Sequence, residues 1–312
     1  MNINRTNACR SFLGIALLAL FCLASTAHAQ KKIVDKRGVV HLFEVKSSYE
    51  GFEKPEDNGF RTAINAVNDP YRRLSLKQML EKGGGPLSLS TEHARNGNSS
   101  LRVAVPNVNH DFRSEIARGY VSMGSDNWYG FSIYIPADWQ SDSQANILAQ
   151  WHAAAAPEGH KTGDGSAYPP IEVDVQDNIW LVKIHWNSTG AGSKGPGFGQ
   201  KKFDIGKLKK GVWTNFVAHA IWSGDATKGK FELWLNGRKV IDYSGGTEYA
   251  GQRHGPYFKI GIYHPLWKPH YPTKQAEDTG ITRPVVVFDD EVRTADASGS
   301  FDAVKPRGDN PR

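Results

Sequence analysis

The stretch Tyr257-Phe258-Lys259-Ile260-Gly261-Ile262-Tyr263-His264-Pro265 alternates strictly between apolar residues and a second set of a different kind. In a strand, that period of two sends Phe258, Ile260 and Ile262 to one face and Tyr257, Lys259, Gly261 and Tyr263 to the other. The first face predicts core. The second carries two phenols, an ammonium and a position without a side chain, and it predicts a surface that receives a ligand, with Gly261 leaving room for it. An outward Tyr/Lys strand also occurs on plain solvated sheets, so the reading needs partner stretches elsewhere in the chain.

Working outward, short alternating runs follow one another from about residue 87 to 295 between Gly, Asn, Asp and Pro punctuation, without convincing helical periodicity. The runs are Ser100–Val105, Asp111–Arg118, Trp128–Ile135, Asn146–Ala153, Ile171–Val175, Ile179–Trp186, Trp213–Trp222, Lys230–Leu235, Arg238–Ser244, Tyr257–Tyr263 and Val285–Arg293. So many strands without βαβ alternation predict an all-β chain folded as a two-sheet sandwich or jelly roll. Gln176-Asp177-Asn178-Ile179 and Leu235-Asn236-Gly237-Arg238 read as hairpin turns. A helix is expected only near Ser75–Lys82, ended by Gly83-Gly84-Gly85. Residues 30–86 form a segment joining the sandwich, with an opening strand or two in Val34–Tyr49, Gly190–Gly199 is a loop, and residues 296–312 are a loose tail.

Residues 1–29 read as a secretory signal peptide: Arg5 and Arg10 precede the apolar run Phe12–Leu23, and Ala27-His28-Ala29 is a small-x-small cleavage site. Its removal predicts a secreted or periplasmic chain beginning at Gln30, with no membrane attachment. Both cysteines, Cys9 and Cys22, would leave with it, so the mature chain has no disulfide and relies on a large core. Loss of Arg5 and Arg10 and of no acid lowers the formal net charge from +6 to +4. The basic residues are dispersed, which disfavours nucleic acid and leaves an anionic small molecule or polymer as partner. Nine Trp and eleven Tyr suit either sugar stacking or a β-rich core.

Two further stretches carry chemistry. Phe112-Arg113-Ser114-Glu115-Ile116 puts Arg113 and Glu115 on one strand face, where the acid can hold the guanidinium fork toward a carboxylate. In Ile147-Leu148-Ala149-Gln150-Trp151-His152, Gln150 and His152 share a face, an amide donor beside a proton acceptor. Together with Tyr257–Tyr263, these stretches resemble the three signature strands of the β-jelly-roll polysaccharide lyases: the family-seven alginate lyases, the glucuronan lyases and the heparin lyase I family. Trp128-Tyr129-Gly130-Phe131-Ser132-Ile133-Tyr134 with Pro136-Ala137-Asp138-Trp139 is more similar to the heparin lyase I and glucuronan lyase side, and Ala117-Arg118 departs from the alginate lyase motif. The resemblance covers residues 90–293 and implies a β-jelly roll of the concanavalin A-like kind and β-elimination from a uronic-acid polysaccharide.

By that resemblance, Gln150, His152, Lys259 and Tyr263 stand where such enzymes keep catalytic groups. The chemistry asks for donors that neutralise the uronate carboxylate, here Arg113 and Gln150, a base for C5–H, either His152 or Tyr263, and an acid for O4, for which Tyr263 as a neutral phenol is suited, with Lys259 lowering its pKa. Substrate contacts are expected from Glu115, His185, Tyr257, His264 and Trp267, the last two in an aromatic loop with His270 and Tyr271. Two rival readings remain: a noncatalytic lectin-like sandwich, and a glycoside hydrolase built on Glu172-Val173-Asp174-Val175-Gln176. The latter lacks its last carboxylate at Gln176, leaving Glu172 and Asp174 to orient Lys183 or His185. No metal-ligand spacing is present and no cofactor is required, although a structural Ca²⁺ at Asp289 or Asp290 stays open. A monomer is expected.

Overall fold

A computed structural model describes residues 51–64, 71, 74–106, 111–153, 168–268, 281 and 283–308, together with the backbone of three short strands before residue 51. In chain order the elements are β1 (Lys32–Val34), β2 (Val40–Leu42), β3 (Ser47–Glu50), β4 (Arg61–Ile64), α1 (Leu76–Lys82), β5 (Leu87–Ser90), β6 (Ser100–Val105), β7 (Arg113–Tyr120), β8 (Asp126–Tyr134), β9 (Asn146–His152) and β10 (Ile171–Gln176). They continue with β11 (Ile179–Asn187), β12 (Phe198–Lys207), β13 (Trp213–Ile221), β14 (Lys230–Leu235), β15 (Arg238–Ser244), β16 (Tyr257–Tyr263), β17 (Val285–Ala295) and α2 (Phe301–Val304). The signal segment, residues 1–29, lies outside the described residues.

Two antiparallel sheets make the sandwich. One has seven strands in the order β12-β11-β10-β9-β16-β7-β4, and the other runs β15-β14-β13-β8-β17-β6-β5 with β3 also paired to β17. Their facing sides bury one continuous cluster in which Phe258, Ile260 and Ile262 from β16 meet Trp151, Phe131, Phe216 and Trp180. The apolar half of the opening stretch is therefore core, as its alternation requires. The β10–β11 and β14–β15 turns are tight hairpins with positive φ at Asp177 (49°), Asn178 (60°) and Asn236 (49°), conformations that Asn and Asp tolerate best. Ser75 caps α1 in a reciprocal capping box with Gln78.

Strand β12 was not expected, and its composition explains why. It is an edge strand whose Gln200, Lys201 and Lys202 are exposed, so no apolar alternation marks it. The predicted Gly190–Gly199 loop accordingly ends earlier, with Phe198 and Gly199 already paired to β11. The expected loose tail is also corrected as far as residue 308. Val304 on α2 is buried with Val217 and Ala295, Phe301 packs 5.4 Å from Trp234, and the carbonyl of Val304 occupies the space where Gly130 lacks a side chain.

Candidate active site

Pairing register builds the site on the outward face of the seven-stranded sheet. One row crosses six strands: Lys183 faces Glu172, Glu172 faces Gln150, Gln150 faces Lys259, Lys259 faces Ala117, and Ala117 faces Arg61. A neighbouring row sets His152 against Tyr257 and Tyr257 against Tyr120. On the other side, Tyr263 lies between Arg113 and Ile147.

Glu115 is the hub. Its carboxylate, 1% exposed, accepts from Lys259 Nζ at 2.5 Å and from Gln150 Nε2 at 2.5 Å, and pairs with Arg113 Nε at 3.0 Å. A buried carboxylate is tolerable only with such partners. Burial pulls the Lys259 ammonium down to about 8, against the pull of Glu115. Three expectations change here. Glu115 is buried and holds Arg113 rather than standing open on the face. Gln150 and Lys259, 0% and 1% exposed, are the floor beneath the site rather than groups presented to a sugar. Lys259 is spent on Glu115, and the cation at the phenol is Arg113.

The Arg113 guanidinium sits 4.3 Å from the centre of the Tyr263 ring, with Lys268 Nζ 5.1 Å away. Burial pushes the Tyr263 phenol up to about 12 while Arg113 pulls it down, so it keeps its proton at neutral pH. His152 places Nδ1 2.9 Å from the carbonyl of Ala153. A carbonyl only accepts, so Nδ1 carries the hydrogen and Nε2 holds the lone pair. Burial, then Lys259, with Arg113 and Lys268 adding to it, depresses His152 to about 3, and the imidazole is neutral. Its ring lies 5.3 Å from that of Tyr257, which burial raises to about 12.

Gly261 serves a different end from the one its sequence suggests. Its φ is 131°, and a Cβ there would meet Ser114 O at 2.4 Å and Glu115 Cα at 2.8 Å. The missing side chain admits the β7 backbone rather than a ligand, and the register irregularity between Ile260 and Tyr263 lies across it.

His185 is 4% exposed, with Nδ1 2.7 Å from Pro169 O and its ring 5.0 Å from that of Tyr168. Tyr168, 53% exposed, is what a ligand would meet there. His264 and Trp267 turn inward: they stack at 4.1 Å, His264 approaches Asp142 at 3.5 Å, and Trp267 joins the core. Pro265 opens a single 3-10 turn that carries both rings under the surface, so the expected sugar platform is a packing element. His270 and Tyr271 lie outside the described residues. Glu172 and Asp174 do orient Lys183, each at 2.9 Å from its Nζ, and burial raises Asp174 to about 7.

Sequence parity missed Arg61, Tyr120 and Lys268. Tyr120 was hidden by a register shift: Lys259 faces Ala117 but Tyr257 faces Tyr120, an extra residue on β7 that turns Tyr120 back to the site. The same irregularity leaves Arg118 against Phe60, 3.9 Å from its ring centre, on the other side. A cavity of about 560 Å³ lined by Arg118, Tyr129, Phe258 and Asp296 opens between the sheets at one end, and none of the candidate catalytic residues lines it.

The Ca²⁺ expectation meets a different arrangement. Asp290 accepts from the backbone N–H groups of Arg95 (2.8 Å), Asn96 (3.2 Å) and Glu291 (2.7 Å). Asp289 pairs with Leu101 and Ile133 on the interior side, where burial raises its pKa well above the usual carboxylate range. Asp290 is thus committed to backbone donors, both oxygens of Asp289 are buried without a hydrogen-bond partner, and no group of three or more His, Cys, Asp or Glu fit to hold a metal occurs among the described residues.

A polysaccharide lyase family profile matches residues 68–293. A search of curated proteins finds no match. Among solved structures, the chain is similar to the endo-β-1,4-glucuronan lyase of the fungus Trichoderma reesei, with 22% identity and a TM-score of 0.61 over 80% of this chain and 98% of that one. It is also similar to the family-14 alginate lyase of Aplysia kurodai, with 10% identity and a TM-score of 0.46 over 67% of this chain and 86% of that one.

Proposed function

The chain belongs to a polysaccharide lyase family, and from that premise we propose that it is an exported enzyme that cleaves a uronic-acid polymer by β-elimination on the face built by β7, β9 and β16. In such a reaction the C5–H bond breaks, its electron pair forms the C4–C5 double bond, and the C4–O4 bond breaks with O4 taking a proton. The developing enolate adds charge to an existing carboxylate, so a cation at that carboxylate is the main electrostatic requirement. Arg113 fills this role, held in place by Glu115. His152 accepts the C5 proton at Nε2, its lone pair available because Nδ1 is committed to Ala153. Tyr263 donates to O4, since a phenol raised to about 12 is protonated before the reaction and Arg113 stabilises the phenolate that follows. Gln150 and Lys259 serve through Glu115.

The observation that carries this reading is the juxtaposition of a guanidinium clamped 3.0 Å from a buried acid with a protonated phenol 4.3 Å from that same guanidinium, on the face that also bears a neutral imidazole. The test is ultraviolet absorbance during incubation with glucuronan, alginate, hyaluronan, heparin and heparan sulfate. Elimination creates a conjugated double bond, so absorbance should rise with at least one. New reducing ends without absorbance would replace the lyase with a hydrolase, and binding without either would leave a lectin. The Trichoderma structure makes glucuronan the first substrate to assay. Export is supported by the signal-like residues 1–29 and is checked by whether the protein recovered outside the cytoplasm begins at Gln30. A monomer in solution accompanies this reading.

A further inference from the structure

Arg61 lies outside the segment matched by the family profile, on edge strand β4, yet it reaches the site. It is paired in register with Ala117, whose methyl lets the long side chain cross over β7. The guanidinium carbon then stands 4.8 Å from the ring centre of Tyr257 and 5.9 Å from that of Tyr120. Tyr257 in turn neighbours His152, so one ring separates this cation from the imidazole. No carboxylate pairs with Arg61 among the described residues, whereas Arg113, Lys183 and Lys259 are each tied to an acid on the same face. Two phenol rings therefore hold a planar, half-buried guanidinium without neutralising it, an arrangement suited to a second anion.

Resting on the lyase reading above, we propose that Arg61, supported by Tyr257 and Tyr120, binds the carboxylate of the uronate next to the one being eliminated, so that the enzyme selects chains with consecutive uronates. Arg113 serves the reacting sugar and Arg61 its neighbour, the two cations standing at opposite ends of β16, one at Tyr263 and the other at Tyr257. A polymer whose uronates alternate with amino sugars offers Arg61 no carboxylate at that place.

The experiment compares kcat/KM for an oligosaccharide of the uronic homopolymer the enzyme cleaves with the same oligosaccharide carrying a flanking uronate carboxyl-reduced to its alcohol. Wild type should lose about ten- to hundredfold on the reduced substrate, the worth of a charge-assisted hydrogen bond. Arg61→Met, which keeps the apolar stem, should lose as much on the uronic substrate and stay within about twofold of wild type on the reduced one, and Arg61→Lys should fall between. Equal losses on both substrates, or none on either, would reduce Arg61 to a packing residue, and a lowered melting temperature in step with the lost rate would do the same. Cleavage confined to hyaluronan, heparin or heparan sulfate would also overturn it. A wild-type enzyme that eliminates no uronic polymer at all would sink the lyase reading itself.

Discussion

At Glu115 a single carboxylate stabilises a buried ammonium, an amide and a guanidinium, so its removal has structural and catalytic consequences that can be separated. Glu115→Gln should cost about 3–5 kcal/mol of stability in a urea titration, because Lys259 is left as an uncompensated buried charge. Adding Lys259→Met should recover most of that loss without restoring turnover, since Arg113 remains unanchored. Tyr263→Phe should lower kcat about 10²- to 10⁴-fold with an unchanged melting temperature, and a near-wild-type rate would remove the phenol from the reaction. His152, pulled from the usual imidazole range to about 3, stays neutral in mild acid. With His152 as base, kcat/KM should therefore fall by less than about twofold between pH 7 and pH 5, and an acid limb centred at an ordinary imidazole value near 6.5 would exclude that assignment. The linked stability has a definite sign. The unfolded imidazole binds a proton more readily than the folded one, so this contribution is complete above about pH 6.5 and declines as pH falls toward about 3.

Strand β16 carries both core residues and candidate site residues, and its irregularity at Gly261 is against β9, setting Tyr263 opposite Ile147 while Lys259 lies opposite Gln150; against β7 the register runs evenly from Lys259 to Tyr263, which faces Arg113. Gly261→Ala combines a positive φ with contacts below 3.0 Å to the β7 backbone and should destabilise by about 3 kcal/mol, read from the denaturation midpoint. An alanine tolerated without loss would mean that β7 yields at Ser114. Neighbouring β7 shows how one extra residue rewrites a face: the alternation that sends Arg113 and Glu115 out sends Arg118 in, and the extra residue between Ala117 and Tyr120 then brings Tyr120 out. Simple counting along the sequence therefore reads that strand correctly as far as Arg118 and misses Tyr120.

For the molecule as a whole, no cysteine lies within residues 30–312, so the two-sheet core is the source of stability and the melting temperature should not respond to reductant. The C-terminal segment belongs to that structure. Ending the chain at Ala297 would strip Val304 from its site beside Gly130, Val217 and Ala295 and uncover Trp234. A loss of about 2–3 kcal/mol is expected from the apolar surface exposed, measurable as a lowered melting temperature with the proposed site, on the opposite sheet, unaltered. A truncated chain as stable as the full one would show that α2 merely rests on the sheet.

What the sequence determined by itself is what period two can carry. The alternation of β16, β9 and the start of β7 identified the apolar side of each strand, brought Arg113, His152 and Tyr263 to a common face, and marked the two hairpins by residues that tolerate positive φ. Apolar alternation reports only that a strand has a wet and a dry side, so the exposed, lysine-bearing β12 stayed invisible. Depth within the wet side was equally hidden: Glu115, Gln150 and Lys259 look outward by parity but lie under the surface, because their mutual bonds replace water. The inward turn of His264 and Trp267 depends on where the chain after β16 meets the core, and the reach of Arg61 across Ala117 depends on β4 pairing with a strand some fifty residues away. Those are facts of long-range register, and register between distant strands is settled only when both sheets close on one core.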